Sequence, residues 1–192
     1  MRFKPILQFM KRKIKNDRDD NLLSAHVFCG SYLPDWRKNI HYSKSSSASK
    51  KSGGGVNNDL SHEVDNISWL FGDMNTKFSI LEKKSNLKIS SDDTYILLGQ
   101  LKNSKKSAVN ISLNYYSKIP HRYHILDFEK KTIHADFINN NIFIKYLNGK
   151  TFKKSFKNLN RNFSYIKMHE AVINKRFQNL CSYSQGLKYI KK

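Results

Sequence analysis

The chain is poor in the residues that build covalently stapled or metal-held folds. Its 192 residues include only two cysteines, Cys29 and Cys181. They stand far apart and form no C-x-x-C pair, so neither a disulfide framework nor a zinc site is indicated. A reducing compartment is the simplest fit. Long apolar runs are also missing. No segment approaches the roughly 18–20 residues that a membrane-spanning helix needs. In the opening "MRFKPILQFMKRKIKNDRDD", charges interrupt the apolar residues too early for the core of a secretion signal. These absences point to the cytoplasm and away from a membrane. Neither G-x-G-x-x-G nor G-x-x-x-x-G-K-[ST] occurs, which removes the familiar phosphate-cradling loops. No internal repeat is present.

Acidic residues are scarce. Fifteen face 35 basic ones, for a formal net charge of +20. That surplus makes nucleic acid or an anionic surface a candidate partner. With 12% aromatics, stacking on single strands is an alternative function. Against it, the lysines are scattered and accompany abundant Asn and Ile, a mixture that AT-rich coding yields without selection for binding. No RNP-like or helix-turn-helix motif supports the charge, so nucleic acid is the less favoured partner.

What is present is the patterning of one domain. Phe3, Ile6, Leu7, Met10 and Ile14 fall on helical spacing, and Pro5 suits the first turn. "LLSAHVFCGSYL", residues 22–33, reads as a strand. A polar Ser-, Lys- and Gly-rich stretch, residues 34–55, reads as a long loop of the kind that binds ligands. A helix is expected from about Asn58 to Phe71, with Leu60, Val64, Ile67 and Phe71 on one stripe and Gly72 as its stop. Seven short β-like runs follow, from "TKFSILEKK" to "KTFKKSFKN", with a hairpin signal at Asn148–Gly149. The end returns to helix, where Ile166, Ile173, Phe177 and Leu180 share a face. The expected class is α+β: a mostly antiparallel open sheet, read as a meander, with helices covering one face. The other face is then solvated or meets a partner.

Chemistry concentrates in "GGGVNNDLSHEVDNISWLFG", residues 53–72. Asp59 and His62 are three apart on the expected helix and share a face, continued by Asn66. An imidazole there can move a proton near neutral pH, and an acid can orient it. A solvated polar helix face fits the same residues. "HRYH", with His121 and His124, reads as ordinary strand histidines, because no acid or Cys completes a ligand set beside them.

The larger pattern, "GSYLPDWR", then Tyr42, then "GGGVNNDLSHEVDNISWLFG", resembles the Gfo/Idh/MocA oxidoreductases, a family of sugar and cyclitol dehydrogenases. The matching positions are Gly53, Gly54, Gly55, Asp59, His62, Asp65, Trp69, Leu70 and Gly72. "MRFKPILQFMK" resembles the segment by which the family leaves its nucleotide domain, and "HEAVIN…CSYSQGLKYI" fits the same half. Asp59 and His62 are three apart where many members have four; a subset with "LSHE" shares the shorter spacing. The resemblance implies a single C-terminal domain over residues 1–192. It would comprise a linker helix region at 1–21, a substrate-side loop at 34–55, a site helix at 58–72, a sheet at 73–160 and helices at 163–192. It implies His62 and Asp59 as catalytic residues, and Trp36, Arg37 and Tyr32 as contacts to a sugar-type molecule. NAD(P) is implied for the complete enzyme and no cofactor for this chain. The family's Rossmann domain and E-K-P segment have no counterpart here, so the chain is expected to be truncated and inactive alone. Its expected partners are a separate Rossmann half or copies of itself through the sheet face. A catalytically silent oligomerisation domain is the third reading.

Overall fold

A computed structural model describes residues 1–17, 19–157, 160 and 162–190. The expected last strand run, "KTFKKSFKN", and the C-terminal helices expected to 192 extend partly outside those residues. Helix α1 spans Pro5–Asn16 and starts on its proline; it buries Ile6, Leu7 and Met10. Strand β1, Leu22–Gly30, follows. Helix α2 is Val56–Asp59 and α3 is Ser61–Phe71. Seven strands come next: β2 Met74–Glu82, β3 Thr94–Leu101, β4 Ser104–Asn114, β5 His121–Phe128, β6 Lys131–Asp136, β7 Asn141–Tyr146 and β8 Thr151–Ser155. Helices α4, Phe163–Ile173, and α5, Tyr183–Ile190, close the described chain.

The eight strands form one sheet in the order β2-β3-β4-β1-β5-β6-β7-β8. Here the structure corrects the simple meander. β1 inserts between β4 and β5, parallel to β4 and antiparallel to β5. The link from β4 to β5 therefore passes the end of β1, where Ser31 N–H donates to Asn114 and Leu33 N–H to the Tyr115 carbonyl, at 3.3 and 2.8 Å. The hairpin at Asn148–Gly149 forms as its sequence predicts, with Gly149 at φ 80°. Alternation sets the two faces. On β5, His124, Leu126 and Phe128 are buried toward the helices, whereas Tyr123 and Ile125 lie on the open face and are only partly covered.

Two cationic side chains tie the first segment to α3. Arg2 clamps Asp65 at 2.6 and 3.0 Å and reaches the Leu180 carbonyl at 2.8 Å. Lys11 donates to the Trp69 and Leu70 carbonyls, which suits a cation at a helix C-terminus. Asp65, part of the family-like motif, is thereby a structural anchor.

The stretch 34–55 is built, not loose. Four 3-10 turns run through it. Ser90 N–H donates to the Ala48 carbonyl at 2.9 Å and Ser91 Oγ to the Ser47 carbonyl at 2.7 Å. The glycine run is the seat of this contact. Gly55 sits at φ 131°, and a Cβ on Gly54 would strike the backbone oxygens of Ser46 and Ser47.

The expected single helix over residues 58–71 is two, broken at Leu60 with φ −108° and ψ 12°. Leu60, Val64 and Ile67 keep their buried stripe and Phe71 is partly covered. The C-terminal pattern behaves differently. α4 buries only Ala171, and Ile166, Ile173 and Phe177 are 52%, 78% and 58% exposed.

Gly54→Ala is expected to lower stability by about 1–3 kcal/mol, the usual range for forcing an atom into packed surroundings. Urea denaturation of the variant beside the exposed control Ser52→Ala checks this; equal midpoints would contradict the packing described.

Candidate functional site around Glu63

The break at Leu60 sends the two acids of "DLSHE" in different directions. Asp59, the last residue of α2, accepts a 2.6 Å hydrogen bond from the Tyr115 hydroxyl. Burial, then the adjacent Asp59, raises the Tyr115 pKa and keeps the phenol a donor. His62 lies in the first turn of α3 with its side chain 29% exposed, and its Nε2 is 3.2 Å from Glu63 Oε1. Among the described residues, hydrogen bonds and ion pairs join Asp59 to Tyr115 and His62 to Glu63, not Asp59 to His62.

Glu63 is the centre of the cluster. Its side chain is wholly buried, with Oε1 2.6 Å from Arg122 Nε and Oε2 2.7 Å from His124 Nε2. Arg122 and His124 are two apart on β5 and so point to the same side of the sheet. Asn66, one turn along α3, donates to Oε2 at 3.4 Å. The Phe137 ring closes the floor, 4.5 Å from the His124 ring and 5.2 Å from the Arg122 guanidinium. Burial alone would raise the Glu63 pKa, but the Arg122 charge, the hydrogen bond to His124 and the nearby His62 outweigh it and hold the carboxyl well below its ordinary range. Lys4 belongs to the same field; burial and then Arg122 lower its pKa, while Glu63 opposes them. Cys29 is pushed up to about 12, by burial first and by Glu63 next, so it is an inert thiol.

Of the residues expected to meet a substrate, Trp36 reaches Asp59 through Tyr115. Trp36 packs edge-on to Tyr115 at 5.2 Å and donates from Nε1 to Ser31 Oγ at 2.8 Å. Trp36, Arg37 and Tyr42 line one small crevice with Ser45. Tyr32 is half-buried, with Lys118 Nζ 3.0 Å from its ring centroid. The structure therefore joins Trp36 to Asp59 through Tyr115. A separate cavity of about 670 Å³ runs along the other flank of α3, between Val64 and Ser68 and the strands β2 and β3.

Sequence reasoning missed Glu63, Arg122 and His124. One signal was available. Glu63 falls within the apolar stripe of Leu60, Val64 and Ile67, and a carboxylate there needs a buried cation. His124 reads as an ordinary strand residue because its acid lies 61 positions away.

Because the folded Glu63 pKa is depressed, the unfolded chain takes up its proton first. Its contribution to stability is complete above the ordinary glutamate range, near pH 4–5, and is lost as pH falls through the folded value. At neutral pH, Glu63→Gln leaves Arg122 and His124 without their anion and is expected to cost about 3–5 kcal/mol. It also flattens the loss of stability below pH 5. Urea titrations at neutral and acidic pH measure both; an unchanged acid slope would refute the assignment.

The comparisons bear on the fold and the family. The model of the oxidoreductase family's C-terminal alpha/beta domain, GFO_IDH_MocA_C, matches residues 11–126, more than half of the chain. Among solved structures, levoglucosan dehydrogenase in complex with NADH superposes with a TM-score of 0.79 at 11% identity, over 97% of this chain and 58% of that one. An oxidoreductase from Agrobacterium radiobacter, in complex with NAD+, L-tartaric acid and magnesium, gives 0.73 at 16% identity, over 99% and 58%. UDP-N-acetylglucosamine 3-dehydrogenase from Acidithiobacillus ferrooxidans gives 0.70 at 13% identity, over 98% and 55%. No curated protein sequence matches the chain significantly. The chain spans a little over half the length of these solved structures. With the family model covering its α3 motif and the sheet through most of β5, the chain belongs to the Gfo/Idh/MocA oxidoreductase family and carries that family's C-terminal alpha/beta domain.

Proposed function

We propose that the chain is the substrate-side half of an NAD(P)-dependent oxidoreductase acting on a sugar, a cyclitol or a nucleotide-linked sugar, and that it is inactive alone. The observation that carries this reading is His62, a partly exposed imidazole in the first turn of α3, backed by the buried Glu63 carboxylate. Such an imidazole takes or returns a hydroxyl proton near neutral pH. Trp36, Arg37 and Tyr32 present two aromatic planes and a guanidinium, which suit a polyhydroxylated molecule. Asp59 orders this wall by holding Tyr115. Solved relatives are named with NAD+, NADH or sugar chemistry, which supports the substrate class.

The glycine run does not suit the phosphates of a dinucleotide. The one glycine run faces acceptors: carbonyl oxygens of Ser46 and Ser47 beside Gly54, and the Asp92 carboxylate beside Gly55. Phosphate oxygens would meet like charge there and too few donors. On this reading, hydride chemistry belongs to a cofactor brought by another polypeptide segment. The exposed apolar side chains of α4 support a docking partner of this kind. On the open sheet face, Phe28 stacks on Tyr123 at 5.6 Å, which supports pairing of two copies there.

The purified 192-residue chain is expected to bind neither NAD+ nor NADP+ by calorimetry, and to reduce neither with a panel of sugars and cyclitols. Cofactor reduction by the chain alone would contradict the half-site reading. Supplied with a Rossmann half, it should gain activity, and His62→Ala should lower that turnover about 10²–10⁴-fold. Full activity of His62→Ala would remove His62 from the chemistry.

A further inference from the structure

We propose that the cavity between α3 and the strands β2 and β3 is a further small-molecule site, which takes a small organic carboxylate with a part-apolar body. Its volume is about 670 Å³, and His62 is not among its lining residues. Ligand pockets span roughly 300–1,000 Å³, so the space has the size of one. It exists because the helices stop short of the sheet edge. α2 packs on β3 and β4, and Glu63 ties α3 to β5. The edge strand β2 keeps Thr76 and Ser79 exposed.

The strands are shaped for the space. Strict alternation would put Met74 and Thr76 on one side of β2 and Ser79 and Leu81 on the other. The register shift between Thr76 and Phe78 reverses the parity, and all four residues line the cavity. Bulges that re-aim side chains in this way are over-represented beside functional sites. On β3, Tyr95 and Leu97 pair with Leu81 and Ser79 and line the same space, while Gly99, opposite Thr76, adds no side chain. Val64 and Ser68, one turn apart on α3, form the facing wall. Ser68 Oγ is buried with no hydrogen-bond partner among the described residues. A buried polar atom in that state calls for a ligand group or a water to complete it.

Charge lies at one end. Asp73 Oδ2 accepts from Lys188 Nζ at 2.8 Å, whereas Lys102 Nζ stands 4.0 Å from the same oxygen, beyond hydrogen-bond length. The Lys102 ammonium, at the cavity's lining, is therefore placed to donate to an entering anion. Hydroxyls along the walls and the apolar surfaces of Leu81 and Leu97 suit the body of the same molecule.

The test is a titration of the nitrogen-15-labelled full chain with benzoate, read by amide NMR. Benzyl alcohol and benzylamine serve as neutral and cationic probes of similar shape. Saturable benzoate shifts are expected, centred on Ser68, Thr76, Tyr95 and Lys102. Benzyl alcohol should bind roughly fivefold more weakly, the scale of one exposed ion pair, and benzylamine more weakly still. Lys102→Met should remove the preference for the anion. Ser79→Trp, at an exposed edge-strand position, should abolish binding by filling the space, with circular dichroism showing both variants folded. Absence of saturable shifts at millimolar benzoate, equal binding of the three probes, shifts centred on the Trp36 crevice, or undiminished binding by Ser79→Trp would overturn the proposal.

Discussion

One buried carboxylate joins the helix layer to the sheet. Glu63 enters from α3 within an apolar stripe, and Arg122 and His124 meet it from β5. Burying an ion is costly, and the arrangement persists because the Arg122 guanidinium lies 2.6 Å from one oxygen while His124 is hydrogen-bonded to the other. The consequence is geometric as much as energetic. α3 cannot roll or slide on the sheet without exposing a bare charge on one side. The first turn of α3, and with it His62, is thereby indexed to a strand near the middle of the sheet.

The remaining anchors serve the same placement. Arg2 and Lys11 hold the outer flank and the C-terminal end of α3. The glycine run lets the turns over residues 46–52 close against α2 and residues 90–92, which sets Asp59 beside Tyr115 and Trp36. Insertion of β1 between β4 and β5 brings Tyr115 over the end of β1 and puts Arg122 at the start of the next strand. Two clusters result: a charged group beside His62 and an aromatic group, Tyr115 with Trp36, at Asp59. Neither offers a cradle for phosphate. The proposed function assigns the reacting molecule to this domain and the cofactor to another segment.

Much of this was legible in the sequence, and the failures have physical causes. The strand runs, α1 with Pro5 at its start and Gly72 as the stop of α3 were readable because local periodicity and backbone preference decide them. The position of β1 was not, because strand order depends on contacts far apart in the chain. The break at Leu60 carries no Gly or Pro signal. The apolar face of Ile166, Ile173 and Phe177 has helical period, yet period alone does not say whether a partner lies within the same chain. At the site, His62 stood out by residue type and by family-like spacing. Its carboxylate partner did not, since Asp59 satisfied the i, i+3 rule on a continuous helix that the structure interrupts. Glu63, the next residue along, was overlooked because its cations come from a strand about sixty residues later.

The central claim is that Glu63 and Arg122 act as one unit linking α3 to β5. A double-mutant cycle by urea denaturation, Glu63→Gln with Arg122→Met, measures it directly. The account predicts a coupling of about 2–3 kcal/mol, with the double variant more stable than the sum of the single losses implies. Additive losses would contradict it.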